Sequence, residues 1–242
     1  MEYSLRFYRD WAKRDDLTSF EVKLRETDLA IRAHSDLSAE AMDMVRRRRR
    51  DLEVYAEAHP GFFWAMTPRR LDPEAPEIVR EMIEAAALYG VGPMAAVAGA
   101  MAEAVGRGLL EFSPEVIVEN GGDVFLRMNR PARLMLYSGE ASPFGGKLVV
   151  KVDAPGEPRG VCTSSARIGP SVSHGAADAV LAVSDRAALA DAAATAIGNR
   201  VKTADDVAGV LEEEKSRGVL LGAVVTIGET FGAFGELELE EI

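Results

Sequence analysis

The 242 residues contain a single cysteine, Cys162, so no disulfide can form within the chain, which fits a reducing cytosol. Basic residues are also in short supply: 28 against 39 acidic, a net charge of −11. Such a chain repels nucleic acid and anionic membranes unless a local patch dominates. The opening residues, MEYSLRFYRDW, lack the apolar core of a secretory signal, and the expected location is cytoplasmic. Long apolar runs are missing too. The charge-free stretch Ala85 to Ala102 approaches membrane length, but it is mostly Ala and Gly with a proline inside. It reads as buried helix rather than a span. No linker, fixed-period repeat or low-complexity tail breaks the chain, and residues 1–242 are expected to form a single domain.

What is present is a globular composition, 48% hydrophobic and 28% charged, in a chain long enough to bury a core. SLRFYRD and SFEVKLRETDLAIRA alternate like strand, the latter with Phe20, Val22 and Leu24 on one side and Leu29 and Ile31 continuing the pattern. Ser38 is placed to cap a helix from about Ala39 to Ala58. HPGFFWAMTPRRLDPEAP is a turn-rich connector whose aromatics, Phe62, Phe63 and Trp64, are expected to pack between elements. Helix follows from about Pro76 to Leu88 and from Pro93 to Gly106. Beyond that the chain is rich in strand: EVIVENGGDVFLRM as two strands across Gly121-Gly122, then ARLMLYSG, KLVVKV and AVLAV. SDRAALADAAATAIGN and TADDVAGVLEEEKSRG are helices, the second started at Thr203, before VLLGAVVTIG and ELELEEI as final strands. The absence of regular βαβ alternation favours an α+β fold.

Four segments could carry chemistry. Arg46 to Arg50 spans more than one helical turn and is flanked by Glu40, Asp43, Asp51 and Glu53. It reads as a solvated, ion-paired helix rather than an anion patch. ENGGDVF is either an ordinary Gly-Gly hairpin or a place of close backbone approach; it lacks the dinucleotide spacing. GVCTSSARIGPSVSHG collects hydroxyls, Arg167 and His174, one of three histidines. It is a surface loop or a phosphate cradle. Cys162 within it is a small buried hydrophobe or a nucleophile with His174 as base. Finally, Asp191 and Thr195 stand one turn apart on an alanine helix, both oxygens on one face. A carboxylate and a hydroxyl are hard ligands suited to magnesium or calcium rather than zinc.

Four blocks in order, VAGAMAEAVGRGLL, VIVENGGDVFLR, CTSSARIGPSVSH and ALADAAATAIGN, give the chain a resemblance to the ApbE-like superfamily. The characterised members are FAD:protein FMN transferases, and this chain looks more like a small cytosolic branch without assigned function. The resemblance implies mixed, largely antiparallel sheets with packed helices in an ApbE-like, T-fold-like architecture. It implies magnesium held by Asp191, Thr195 and a backbone carbonyl around Ala98 and Gly99. It further implies a nucleotide cleft lined by Asn120, Gly121, Gly122, Asp123, Thr163, Ser164 and Arg167, with His174 and Asp191 as catalytic residues. FAD or FMN would be the ligand and a second protein the possible acceptor. The sequence departs from the transferases at Ala98-Gly99, where they usually carry Lys-Gly, and their acid a few residues later appears here as Glu103.

Three functions follow as expectations. One is a magnesium-dependent transferase or hydrolase acting on FAD or a similar phosphorylated substrate. Another is a ligand-binding relative without catalysis. The third is a thiol or serine hydrolase using Cys162 or Ser164 with His174.

Overall fold

The computed structural model describes residues 16–136, 138–139, 142–144, 148–153, 155–165, 175–235 and 237–241. The expected first strand SLRFYRD lies outside them. An antiparallel hairpin, β1 (Thr18–Leu24) and β2 (Thr27–Ala33), leads into α1 (Ser38–Ala58). After the connector come α2 (Glu77–Tyr89), a 3-10 turn (Pro93–Ala96) and α3 (Val97–Leu109). Then follow β3 (Val116–Asn120), β4 (Asp123–Arg127), β5 (Ala132–Leu136), β6 (Leu148–Val152), β7 (Pro158–Ser164) and β8 (Ala179–Ser184). Two helices, α4 (Ala187–Arg200) and α5 (Asp206–Arg217), precede β9 (Gly222–Ile227), β10 (Thr230–Gly235) and β11 (Glu238–Glu241).

The strands form an eight-stranded sheet ordered β1-β2-β3-β4-β7-β8-β9-β10 and a three-stranded sheet ordered β11-β6-β5. Every strand pairing within them is antiparallel, so the fold is α+β as expected. Side-chain alternation splits the large sheet between two cores. Phe125, Val180 and Ala182 face the helices. Val124, Leu126, Leu181 and Val183 face the small sheet, with Leu136 and Val150. The central strand β8 is therefore buried at every position, and reads as a continuous apolar run.

Several local expectations are corrected. SFEVKLRETDLAIRA is a hairpin, not one strand: the chain turns at Arg25, whose φ is 53°, and the buried phase shifts from Val22 to Leu29 and Ile31. Ser38 does not cap α1; its own N–H donates to the Asp36 carboxylate at 2.9 Å. At α5 the Asp206 carboxylate reaches back to the N–H of Lys202 and Thr203, so Thr203 donates rather than accepts. Of the connector aromatics only Phe62 is buried, while Trp64 is 84% exposed. The first part of the supposed polar loop, through Ser164, is strand β7, and β10 was not foreseen because TFGAFG spends two of six positions on glycine.

The charge-free stretch from Ala85 is interrupted at Gly90, and the two helical pieces are bent by 104°. No single helix among the described residues is long and apolar enough to cross a membrane. The arginine run behaves as expected: Arg46 pairs with Asp43, Arg48 with Asp51 and Glu77, and Arg49 with Glu26 and Glu53.

One packed acid gives a pH signature. Glu81 on α2 is half-buried; desolvation first, then the charges of Glu103 and Glu77, push its carboxyl up to about 7. A folded pKa raised above the ordinary 4.5 means that the stability tied to this proton is complete below that value and is lost as pH rises through 7. Glu81→Gln therefore melts higher than the parent at about pH 8 and level with it at about pH 4.5. Equal melting temperatures at both pH values would refute the burial of this carboxyl against its acidic neighbours.

Candidate functional site

Alanine in α4 is a packing requirement. Eleven of its residues are buried, from Ala187 to Gly198, because the helix lies directly on β7 and against the start of α3. A Cβ on Gly160 of β7 would come 2.3 Å from the Cα of Ala187. A Cβ on Gly99 of α3 would come 2.3 Å from the Ala187 carbonyl oxygen and 2.9 Å from the Asp191 Cβ. Real side chains do not approach so closely, so both positions require glycine for space.

The close approach brings two helix starts together, and each is capped by the other helix. The Gly99 N–H donates to Asp191 Oδ2 at 2.8 Å, and the Ala98 N–H also reaches this carboxylate. In return Glu103 Oε2 accepts the N–H of Ala187 at 2.7 Å and of Ala188 at 3.3 Å. Its other oxygen takes Arg107 Nε at 2.8 Å. Neither helix has a capping side chain of its own. The carboxylates thus satisfy donors that would otherwise be orphaned, and sit at the positive ends of the helix dipoles.

The double-glycine bend closes the other side. Gly121 and Gly122 have φ of 69° and 105°, the left-handed conformations a two-residue hairpin loop demands, while Asn120 pairs with Asp123 across it. Asn120 Nδ2 donates to the Ala98 carbonyl at 3.1 Å. The Thr163 N–H donates to Asp123 Oδ1 at 3.2 Å, and the Thr163 hydroxyl to the Gly122 carbonyl at 3.1 Å. Hairpin, β7 and the α3 and α4 starts thus meet in one polar seam.

Two carboxylates share that seam. Asp123 and Asp191 are both buried. Burial raises the Asp123 carboxyl well above its ordinary range, and the neighbouring Asp191 charge raises it further. Asp191 is pushed up to about 7 by burial, against the opposing pull of the Gly99 and Ala98 N–H groups. Cys162 is wholly buried, its thiol donating to the Ala187 carbonyl at 3.2 Å. Burial first, then Asp123 and Asp191, push it well above the usual thiol range. A thiolate nucleophile needs the opposite environment.

The structure brings together Ala98, Asn120, Gly121, Gly122, Asp123, Thr163 and Asp191. Thr195 is half-buried one turn beyond Asp191 on α4. Ser164 ends β7 toward the C-terminal turn of α4, its Oγ 3.7 Å from where a Gly198 Cβ would stand. Arg167 and His174 lie outside the described residues. Sequence reasoning gave Glu103 no structural role and overlooked Gly160; the signal for the latter was a glycine inside an otherwise apolar strand.

The family model described as "AbpE bacteria" matches residues 9–223. A UPF0280 protein from Methanopyrus kandleri is 40% identical over 223 residues, covering 90% of each chain. Another from Methanocella arvoryzae is 37% identical over 221 residues, 90% of this chain and 88% of its own. Among solved structures, the apo flavinyl transferase ApbE of Pseudomonas stutzeri superimposes with a TM-score of 0.61 at 15% identity, over 90% of this chain and 93% of that one. The flavin transferase ApbE of Vibrio cholerae gives 0.58 at 13% identity, over 90% and 96%. At such identities the likeness is one of fold.

Proposed function

The chain belongs to the family described as AbpE bacteria, and from that premise we propose that it binds a divalent magnesium ion and, with it, FAD or a similar nucleotide diphosphate. The observation that carries the reading is the meeting of two buried carboxylates, Asp123 and Asp191, with the Ala98 carbonyl and the double-glycine hairpin in one seam. Two like charges kept out of water repel each other, and a cation relieves that repulsion.

The donor set fits magnesium. Asp191, the Thr195 hydroxyl and the Ala98 carbonyl are hard oxygens. Each carboxylate oxygen has two lone pairs, so the bond from Gly99 does not exhaust Asp191. When bound, the ion would neutralise phosphate charge and favour transfer or hydrolysis of a phosphorylated group. The remaining work belongs to the chain. Asn120 holds the Ala98 carbonyl in place, and Thr163 fixes both Gly122 and Asp123. At Gly122 the missing Cβ leaves room for Thr163, whose Oγ1 would lie 2.7 Å from it, and the bare hairpin backbone is what we offer to the nucleotide. Ser164 and Arg167 are proposed as ligand-binding residues, and His174 with Asp191 as the catalytic residues. An acceptor protein for the flavin moiety is the finer form of the proposal; a binding role without turnover is the second form.

The test is a thermal melt and a calorimetric titration with FAD, ADP and FMN, each with and without magnesium. FAD and magnesium together raise the melting temperature more than the sum of their separate effects. Strictly additive effects would overturn the shared site.

A further inference from the structure

At the end of α1, and sharing no residue with this machinery, the connector forms an open cup of about 570 Å³. Its wall is an aromatic stack: His59 lies on Tyr55 with ring centroids 3.9 Å apart and planes at 19°, and Phe62 meets Tyr55 edge-on at 5.3 Å. The Tyr55 hydroxyl donates to Asp72 at 3.2 Å, and His59 Nδ1 is 2.8 Å from the Tyr55 carbonyl, so that nitrogen carries the proton. One face of the imidazole is covered by Tyr55 and the side chain remains about half exposed.

The rim is cationic, against the sign of the whole chain. Arg69 and Arg70 both line the cup, with Asp72 as the single acid. Among the described residues Arg69 makes one hydrogen bond, a long one to the Pro60 carbonyl at 3.5 Å. Arg70 makes no hydrogen bond or ion pair within the described residues, in a protein where most other arginines are paired. The connector that forms the cup is braced at both ends. Phe62 and Ala75 anchor its two ends in the core. The connector is pressed on Gly92 so tightly that a Cβ there would lie 1.6 Å from the Ala65 carbonyl oxygen. An open cup with one flat ring wall and two weakly engaged guanidinium groups, from Arg69 and Arg70, matches one ligand chemistry.

We propose that this cup binds a small organic anion, a phosphate or carboxylate attached to a planar ring, with the anion on Arg69 and Arg70 and the ring on the open face of His59. Because Asp191, Asp123 and magnesium take no part, this site and the proposed function stand or fall separately.

The probes are phenyl phosphate, benzoate and inorganic phosphate, titrated calorimetrically at low ionic strength with magnesium removed by chelator. Phenyl phosphate is expected to bind about three- to tenfold tighter than inorganic phosphate, the span that one offset ring contact supplies. Benzoate binding as well as phenyl phosphate would assign the anion as either group; benzoate failing would assign phosphate. Replacing both Arg69 and Arg70 with Gln should weaken every anion about tenfold or more, as loss of a charge-assisted bond does. His59→Ala should erase the preference for the ring while keeping inorganic phosphate binding, and His59→Phe should retain it. No binding by any probe, equal affinity for phenyl and inorganic phosphate, or unchanged affinity in the double arginine variant would overturn the proposal.

Discussion

Asp191→Asn abolishes the magnesium-dependent part of the thermal stabilisation by FAD while leaving the fold intact. The reason is the double duty of this side chain. Its oxygen caps the start of α3 through the Gly99 N–H at 2.8 Å, and an asparagine carbonyl can accept the same bond. Its charge, by contrast, is what a cation requires, and asparagine removes it. A ligand at a hundredfold excess over its Kd stabilises by about 2.7 kcal/mol, roughly 5–10 °C for a chain of this size. That is the shift the variant should lose. The ligand-free variant should also melt at or above the parent at about pH 8. The Asp191 carboxyl is raised to about 7, so the stability linked to its proton is present at low pH and gone above that value, a loss asparagine does not suffer. A full magnesium-dependent shift in the variant would remove Asp191 from the metal site.

Gly99→Ala, like Gly160→Ala, adds one of the most damaging single methyls the site can receive. The added carbon would meet the Ala187 carbonyl oxygen at 2.3 Å and the Asp191 Cβ at 2.9 Å. Backbone, not a flexible tip, stands in the way, so α3 has to withdraw from α4. The cost belongs at the upper end of overpacking, about 3 kcal/mol, or about 10 °C in melting temperature. Ligand response should fall with it, since both caps stretch. Gly209→Ala on α5 is the control. Nothing lies within 4 Å of its added carbon, and alanine is favoured over glycine in a helix by about 1 kcal/mol. Equal effects of the two substitutions would show that α3 and α4 do not meet as described.

How much of this was legible in the chain depended on how local the cause was. The hairpin at Gly121-Gly122 was readable because its turn chemistry sits in two adjacent residues. Helix α4 was readable because alanine has so strong a preference. Asp191 and Ala98 lie 93 residues apart in number, and only the resemblance to a family joined them. The reciprocal role of Glu103 was hidden for a simpler reason: an acid on a helix reads as solvated surface until the partner helix is in place. β7 was mistaken for loop because Thr163, Ser164 and Ser165 are polar, yet its first half lies under α4, where small residues are needed for clearance. β1 and β2 ran together because the turn at Arg25 and Glu26 contains neither glycine nor proline.

The crossed caps of α3 and α4 carry one consequence for how the protein is assembled. Each helix withholds from itself the group its own first turn needs and lends it to the other, like two keystones leaning together. A peptide spanning either helix alone should therefore be frayed at its start, and an excised segment carrying Asp191 should hold metal poorly. The seam beneath the two helix starts comes into being only when both have closed on each other.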